Sequence, residues 1–290
     1  MKTFKLFAVA FAFSCSSAFA MRYEDYLAKA EKASSAKQRI NYYSGALSKK
    51  PGDSAAMAGR AKAYFEAGDA ARAETDLRKA LEISPESDTL NFELGGLLYR
   101  LDRYDEGISY LSRAVNGAPS VAKYYFYRGM AYAGLENYPR AVKNMTQAIT
   151  LDPRAGVYPH KRGIFYYRME DYKQAVKDYT LAIKLDPKDP IVRNNRAAAY
   201  LRLGEWDKAY ADVSSALKFE KNFPSAYIHL SAYWWTGKKN KAKALENLDA
   251  AFKAGYRDFK SLYDEKDNGY FFRGLNKTRE FEGIVAKYRK

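Results

Sequence analysis

The stretch AKYYFYRGMAYAGLENYPRAVKNMTQAITLDPRA, residues 122–155, contains the pattern on which the fold depends. It predicts one helix from about Lys123 to Leu135 and a second from about Pro139 to Thr150. Pro139 suits the first turn of the second helix, because the N–H that proline lacks has no partner there. Pro153 ends that helix. Residues 136–138 are left as a tight turn, so the stretch is predicted to be a helix pair.

The same pattern recurs every 34 residues. Small residues recur at two positions where two helix axes approach closely, and large residues recur beside them. The clearest columns are Pro51, Pro85, Pro119, Pro153 and Pro187; Ala46, Ala80, Ala114, Ala148, Ala182 and Ala216; Ala61, Gly95, Gly129, Gly163, Ala197 and Ser231; and Tyr64, Leu98, Tyr132, Tyr166, Tyr200 and Trp234. A fixed period of 34 residues with these columns resembles the tetratricopeptide repeat.

The resemblance implies an all-α fold, a right-handed superhelical solenoid of antiparallel helix pairs. Five clear units are expected, and a sixth at 224–257 is degenerate, with one extra residue in its turn. Residues 21–53 are predicted to be a divergent N-terminal repeat, and residues 258–290, which have lost the period, a capping segment. The clear units are 54–87, 88–121, 122–155, 156–189 and 190–223.

Arginine occupies the seventh position of four units, where leucine is the commoner choice in the family that the chain resembles. Sixteen residues after each arginine stands an Asp or Asn, and after the lone leucine a Tyr. We therefore predict that the paired residues bond within each unit and that the arginines are structural. The pairs are Arg60 with Asp76, Arg128 with Asn144, Arg162 with Asp178 and Arg196 with Asp212, and the exception is Leu94 with Tyr110.

The first twenty residues are typical of a signal peptide. Lys2 and Lys5 precede an apolar run from Leu6 to Phe13, and Ala18-Phe19-Ala20 is a small-x-small cleavage site. The run is short for an uncleaved membrane anchor, and no later stretch has transmembrane length. Cys15, the only cysteine, lacks the preceding leucine of a lipobox, so lipid anchoring is disfavoured. The predicted location is the periplasm, with secretion as the alternative.

No pattern of catalytic or cofactor-binding residues stands out. Without residues 1–20 the chain has two histidines, no cysteine and a formal charge of +13, reduced from +15 by the loss of Lys2 and Lys5. Metal-ligating, nucleophile-elbow, phosphate-loop and EF-hand patterns are absent from the sequence. We therefore predict neither an enzyme nor a bound cofactor or metal, and export disfavours a nucleic-acid partner.

The first helices of such repeats line a concave groove, and the resemblance implies that ligands lie along it. The non-core residues of those helices are basic and aromatic, which suits an extended peptide or an acidic helix of a protein partner. The predicted groove residues are Lys62, Phe65, Phe92, Glu93, Tyr99, Arg100, Lys123, Phe126, Tyr127, His160, Lys161, Tyr167, Arg168, Asn194, Asn195, Arg202, His229 and Trp235.

Two functions fit these features. The first is a non-catalytic scaffold of the cell envelope that binds a partner protein in the groove, with self-association through the apolar tail as an addition. The second is a binder of an anionic cell-wall polymer or lipid surface, which the positive charge supports. The two differ in where the basic residues cluster and in how steeply salt weakens binding.

Overall fold

The predicted alternation of two helices and a short turn runs through the part of the chain that the structure describes. A computed structural model describes residues 21–289, which contain fifteen α-helices and no β-strand. The predicted signal peptide, with Cys15, lies outside the described residues. In chain order the helices are α1 (Tyr23–Lys32), α2 (Ala36–Lys49), α3 (Ser54–Glu66), α4 (Ala70–Ile83), α5 (Asp88–Arg100), α6 (Tyr104–Gly117), α7 (Ala122–Gly134), α8 (Tyr138–Leu151), α9 (Val157–Arg168), α10 (Tyr172–Leu185), α11 (Pro190–Leu203), α12 (Trp206–Phe219), α13 (Pro224–Ala232), α14 (Lys241–Lys253) and α15 (Arg279–Tyr288).

The described part of the chain divides into two compact units, with the boundary between Glu93 and Leu94. In the first unit α1 packs on α2, α2 on α3 and α3 on α4. In the second unit each helix from α6 to α14 packs on the next one in the chain. This nearest-neighbour packing is what short turns between helices produce, and it places the core between successive helices.

The turns inside the helix pairs share one backbone conformation. One residue per turn has a positive φ, between 56° and 83°, and these residues follow the 34-residue period: Gly68, Asp102, Glu136, Glu170 and Gly204. Only glycine adopts that conformation without steric cost. In three of the turns the next residue caps the second helix, because Asp69, Asn137 and Asp171 each accept a hydrogen bond from the backbone N–H three residues on.

Small residues recur where the two helices of a pair touch. A Cβ added to Gly163 would lie 2.7 Å from the ring of Tyr179, and one added to Gly129 would lie 3.0 Å from the Asn144 and Met145 side chains. Both distances are too short for an unchanged neighbour. The recurring glycines therefore allow α7 to approach α8 and α9 to approach α10.

The predicted arginine pairs are confirmed. Arg60, Arg162 and Arg196 each donate from Nε and from Nη2 to the two carboxylate oxygens of the Asp sixteen residues on, at 2.7–2.8 Å. In the fourth pair Arg128 Nε donates to Asn144 Oδ1 at 2.8 Å. The acceptors are buried, and the bidentate bonds of the three Arg–Asp pairs are strong and geometrically specific.

A second bond of these arginines was not predicted. Nη1 of each donates to a Ser or Thr hydroxyl sixteen residues before it: Ser44, Ser112, Thr146 and Thr180, at 2.9–3.4 Å. These hydroxyls belong to the second helix of the preceding pair. Each arginine therefore joins three helices, its own and one on either side of it.

The sixth helix pair is irregular. Its extra residue is absorbed in a π-helical turn, Tyr233–Gly237, between α13 and α14. The C-terminal segment, residues 258–289, then forms three 3₁₀ turns and α15. Its Leu262, Phe272 and Phe281 are buried against apolar residues of α13 and α14, so these side chains are not exposed for contact with a second copy.

Asp178→Asn tests the arginine pairing. The Asn side chain keeps one acceptor oxygen for Arg162 but lacks the negative charge of the Asp178 carboxylate, which is almost fully buried. We therefore expect the free energy of unfolding to fall by about 1–3 kcal/mol. The measurement is urea denaturation followed by circular dichroism. Lys177→Gln changes an exposed charge beside it and should leave the midpoint unchanged; equal midpoints for the two variants would contradict a stabilising role.

Candidate functional site

The predicted groove residues lie on the first helices of the pairs, except Trp235, which lies in the π-helical turn after α13; not all of them offer surface to a ligand. Phe92, Asn194 and His229 are buried, so the prediction that they face an open groove is corrected. Four of the predicted groove residues belong to the first unit. They are Lys62 and Phe65 on α3, and Phe92 and Glu93 on α5. The candidate site described below consists of second-unit residues only.

Aromatic rings form a continuous run along α5, α7 and α9. Tyr99 contacts Tyr127 edge to face with ring centroids 6.0 Å apart, and Tyr127 contacts Phe126 at 5.4 Å. Phe126 in turn lies 5.5 Å from the buried ring of Tyr158. Tyr99, Phe126 and Tyr127 are half-buried. Each of these rings is thus fixed in position by a neighbouring ring, while part of its surface remains accessible.

Hydrogen bonds connect successive first helices at a spacing of 35 residues. Asn195 Nδ2 donates to His160 Nε2 at 3.0 Å, His229 Nδ1 donates to Asn194 Oδ1 at 2.8 Å, and Arg202 Nε reaches the Tyr167 hydroxyl at 3.4 Å. Burial is the main reason why the pKa of His160 is lowered and that of Tyr167 is raised. The main role of these residues is therefore to hold α9, α11 and α13 together. Both histidines are neutral.

The C-terminal segment covers this face at α11 and α13. Arg202 Nη2 donates to the backbone carbonyls of Lys266 and Asp267, both at 3.0 Å, and its guanidinium lies 4.2 Å from the centroid of the Tyr270 ring. Trp235 Nε1 donates to the carbonyl of Arg273 at 3.2 Å. Arg202 and Trp235 were predicted to face a ligand; instead they contact the chain's own segment.

Phe271 anchors that segment. Its side chain is 1% exposed and packs among residues of α11, α12 and α13, with its ring edge to face against His229. The sequence signals that this part of the chain is not a repeat, because the period stops before it. It carries no signal for which helix face the segment meets, so these contacts were missed.

The face remains uncovered by that segment at α7, at the first half of α9 and at Asn195 in the first half of α11. Lys123 is exposed there and lies 5.9 Å from the centroid of the Tyr127 ring, and Lys161 and Asn195 are half-exposed. Arg100 and Arg168 are exposed at the ends of α5 and α9. Burial raises the pKa of Asp267, and the charge of Arg168 offsets part of that rise. We call Lys123, Phe126, Tyr127, Lys161 and Asn195 the open face.

No group of three or more His, Cys, Asp or Glu residues within 21–289 could hold a metal ion. Over the same residues, every helix is too short or too polar to cross a membrane.

His229 gives a prediction for pH dependence. Burial lowers its pKa to about 4, whereas an unfolded histidine titrates near 6.5. Between these values the unfolded chain binds more protons than the folded one, so stability is lost as pH falls from about 6.5 to about 4, by about 3 kcal/mol in total. His229→Gln should lose less stability than the native chain between pH 7 and pH 4.5 in urea denaturation.

The control for this measurement is Lys177→Gln, at an exposed position of α10, which should keep the native pH dependence. If His229→Gln and the native chain lose the same amount of stability over this interval, His229 does not hold a depressed pKa in the fold.

Three repeat-family models match parts of the chain. A TPR repeat model matches residues 163–204, and two tetratricopeptide-repeat models match residues 64–125 and 122–155. None of the curated proteins matches the sequence significantly.

Solved structures share the fold at low identity. A tetratricopeptide repeat protein from Parabacteroides merdae ATCC 43184 is 16% identical, with 87% of this chain and 97% of that chain aligned and a TM-score of 0.62. MamA from Desulfovibrio magneticus RS-1 is 24% identical over 57% of this chain and 95% of its own, with a TM-score of 0.55. YrrB, described as a TPR protein with an unusual peptide-binding site, is 21% identical over 62% and 92%, with a TM-score of 0.53. The three matches fall on the 34-residue helix pairs, and residues 64–155 and 163–204 of the chain are therefore tetratricopeptide repeats.

Proposed function

We propose that this protein is a non-catalytic interaction scaffold of the cell envelope that binds an acidic, extended segment of a partner protein on the open face. The observation that carries the proposal is the C-terminal segment. Residues 264–274, outside any α-helix, are bound on the first-helix face of α11 and α13 through backbone carbonyls and one inserted aromatic ring.

The open face carries the same kinds of groups as that internal contact, hydrogen-bond donors beside aromatic rings. Arg202 and Trp235 supply N–H donors for carbonyls, and Phe271 enters an apolar site beside them. On the open face the donors are the ammonium groups of Lys123 on α7 and Lys161 on α9 and the amide of Asn195 on α11, and the rings are Phe126 and Tyr127. Amide donors and ring faces suit a peptide backbone with apolar side chains, and the two ammonium groups favour acidic ones.

A similar protein supports the mode of binding without identifying the ligand. YrrB carries a peptide-binding site according to its description, and its fold matches this chain. A peptide on the open face would be held by rings that neighbouring rings already fix in place. Such rings lose little conformational freedom on binding, which favours affinity.

A photo-crosslinking amino acid at position 127 tests the proposal. We expect it to capture a defined acidic segment of one protein in cells that produce the chain, and a synthetic copy of that segment to bind the purified native chain in fluorescence anisotropy. Tyr127→Ala combined with Lys161→Glu should weaken this binding at least tenfold, because it removes a central ring and reverses one charge.

The matched control is Phe219→Ala combined with Lys177→Glu. It makes the same two kinds of change at exposed residues of α12 and α10 and should leave binding unchanged. Capture of glycan or lipid alone, with equal loss for both double variants and steep loss with salt, would replace the groove proposal by the binding of an anionic polymer or surface.

We also propose that the protein is exported and acts in the periplasm. The support is the N-terminal sequence: two lysines, a short apolar run and Ala18-Phe19-Ala20. A chain without cysteine after residue 20 is stable in an oxidising compartment without disulfides, provided that packing and ion pairs hold it, as they do here.

Export predicts a specific N-terminus. The protein recovered from the periplasmic fraction should begin at Met21 when its N-terminus is sequenced. Ala20→Leu should block cleavage and leave the full-length chain in the membrane fraction, whereas Ala30→Gly, beyond the cleavage site, should be processed normally. A chain found with Met1 in the cytoplasmic fraction would contradict export.

A further inference from the structure

A cleft of about 450 Å³ lies between α7 and α8, within the repeat 122–155. The groups that line it are three cations (Arg128, Arg140 and Lys143), two tyrosines (Tyr125 and Tyr132) and amides, Asn144 among them. No acidic residue is among its lining residues. The volume is in the range of pockets that hold small molecules or a single side chain of a partner.

Arg128 differs from the other arginines of its column because its partner is neutral. Arg60, Arg162 and Arg196 each donate from Nε and Nη2 to a carboxylate. Arg128 donates from Nε to the Asn144 amide oxygen, while the Asn144 amide nitrogen donates to the carbonyl of Arg140 at 2.8 Å. Its Nη2 has no hydrogen-bond partner anywhere in residues 21–289.

The charge of Arg128 is therefore held without a counter-charge. Burial lowers the pKa of Arg128, whereas the hydrogen bonds that the other three arginines donate to Asp76, Asp178 and Asp212 raise the pKa of those arginines. A partly buried charge with no opposite charge is costly for a fold to keep. The cost falls when a negative group enters the cleft.

The other two cations of the cleft are also unneutralised. Arg140 and Lys143 are exposed and form no ion pair with any residue in 21–289. The two tyrosine rings stand beside the charges, with Tyr125 5.5 Å from the Arg128 guanidinium and Tyr132 5.5 Å from that of Arg140. An anionic group in the cleft would meet the cations, with the two tyrosine rings beside them.

We propose that this cleft binds a carboxylate group. A carboxylate is favoured over other anions because Nη2, the nitrogen that Arg128 leaves open, bonds a carboxylate oxygen in the three other repeats. The rings of Tyr125 and Tyr132 would pack against the carbon chain that carries the group. The carboxylate belongs to a small free acid or to an acidic side chain of a partner protein.

This cleft is separate from the open face. Tyr125, Arg128 and Tyr132 lie at positions i, i+3 and i+7 and share one side of α7. Phe126 and Tyr127 are turned from Tyr125 by about 100° and 200° around the helix. The proposal therefore stands whether or not the open face binds a peptide.

The test is a titration of the full chain at low ionic strength, followed by the Nε–Hε NMR signal of Arg128. The probes are succinate, the peptide acetyl-Gly-Glu-Gly-amide and inorganic phosphate. We expect a saturable shift with at least one carboxylate probe. Asn144→Asp should weaken that binding at least tenfold, because the introduced carboxylate would occupy both Nε and Nη2, as Asp178 does for Arg162.

Asn144→Asp should fold, because it restores the Arg–Asp pair found in three other repeats. Its thermal midpoint should not be lower than that of the native chain. Asn222→Asp, an exposed position outside this repeat, changes the net charge equally and should bind like the native chain. If Asn144→Asp fails to fold, Lys143→Glu, at an exposed position, should also weaken binding at least tenfold.

The probes also separate the two sources. A shift with the peptide and none with succinate would assign the site to an acidic side chain of a partner, and a shift with succinate would assign it to a free acid. Binding of phosphate without either carboxylate, no shift with any probe, or equal affinity of Asn144→Asp and the native chain would overturn the proposal.

Discussion

Four of the repeats depend on a charged arginine half-buried between three helices, and in three of them it is paired with a carboxylate. Nε and Nη2 bind a carboxylate in the second helix of the same pair, and Nη1 binds a hydroxyl in the second helix of the preceding pair. Because the guanidinium is planar, these bonds fix both the distance and the rotation of the helices around it. A salt bridge of this kind is weak support for stability alone but strong support for one register, since a shifted helix would leave a buried charge unpaired.

Two repeats depart from the Arg–Asp pair, and they differ in whether a charge is left without a partner. Leu94 with Tyr110 removes both members of the ion pair, so no charge is left behind, and replacing both partners of a buried bond costs little. Asn144 removes only the acid, and Arg128 keeps a charge that nothing in residues 21–289 balances. The unit 122–155 is therefore the one of the four arginine-containing repeats in which this bond is incomplete, and it is where the cationic cleft lies.

The sequence predicted what the period controls. Helix pairs, their turns and the Arg–Asp partners recur at fixed spacings, so one repeat informs the next. The hydroxyl partners at Ser112, Thr146 and Thr180 recur at the same period, but they lie in the preceding repeat, so the pattern within one repeat does not indicate them. The contacts of Arg202 with residues 266 and 267 span 64 and 65 residues with no counterpart elsewhere, so no periodic signal could indicate them. Burial of Asn194 and His229 likewise depends on a neighbouring helix and on that segment.

Occupation of part of the face by the chain itself determines where a ligand can bind most readily. A tethered segment competes at a high effective concentration, so a free peptide would have to displace the buried Phe271 and the carbonyl bonds of Arg202 in order to reach α11 and α13. The open face requires no such displacement, because its rings and ammonium groups are already accessible. Affinity should therefore be gained first at α7 and α9, and the C-terminal segment limits how far along the repeats a ligand extends. A ligand that did extend further would release that segment from Arg202 and Trp235, which couples the length of the bound peptide to the order of the C-terminus.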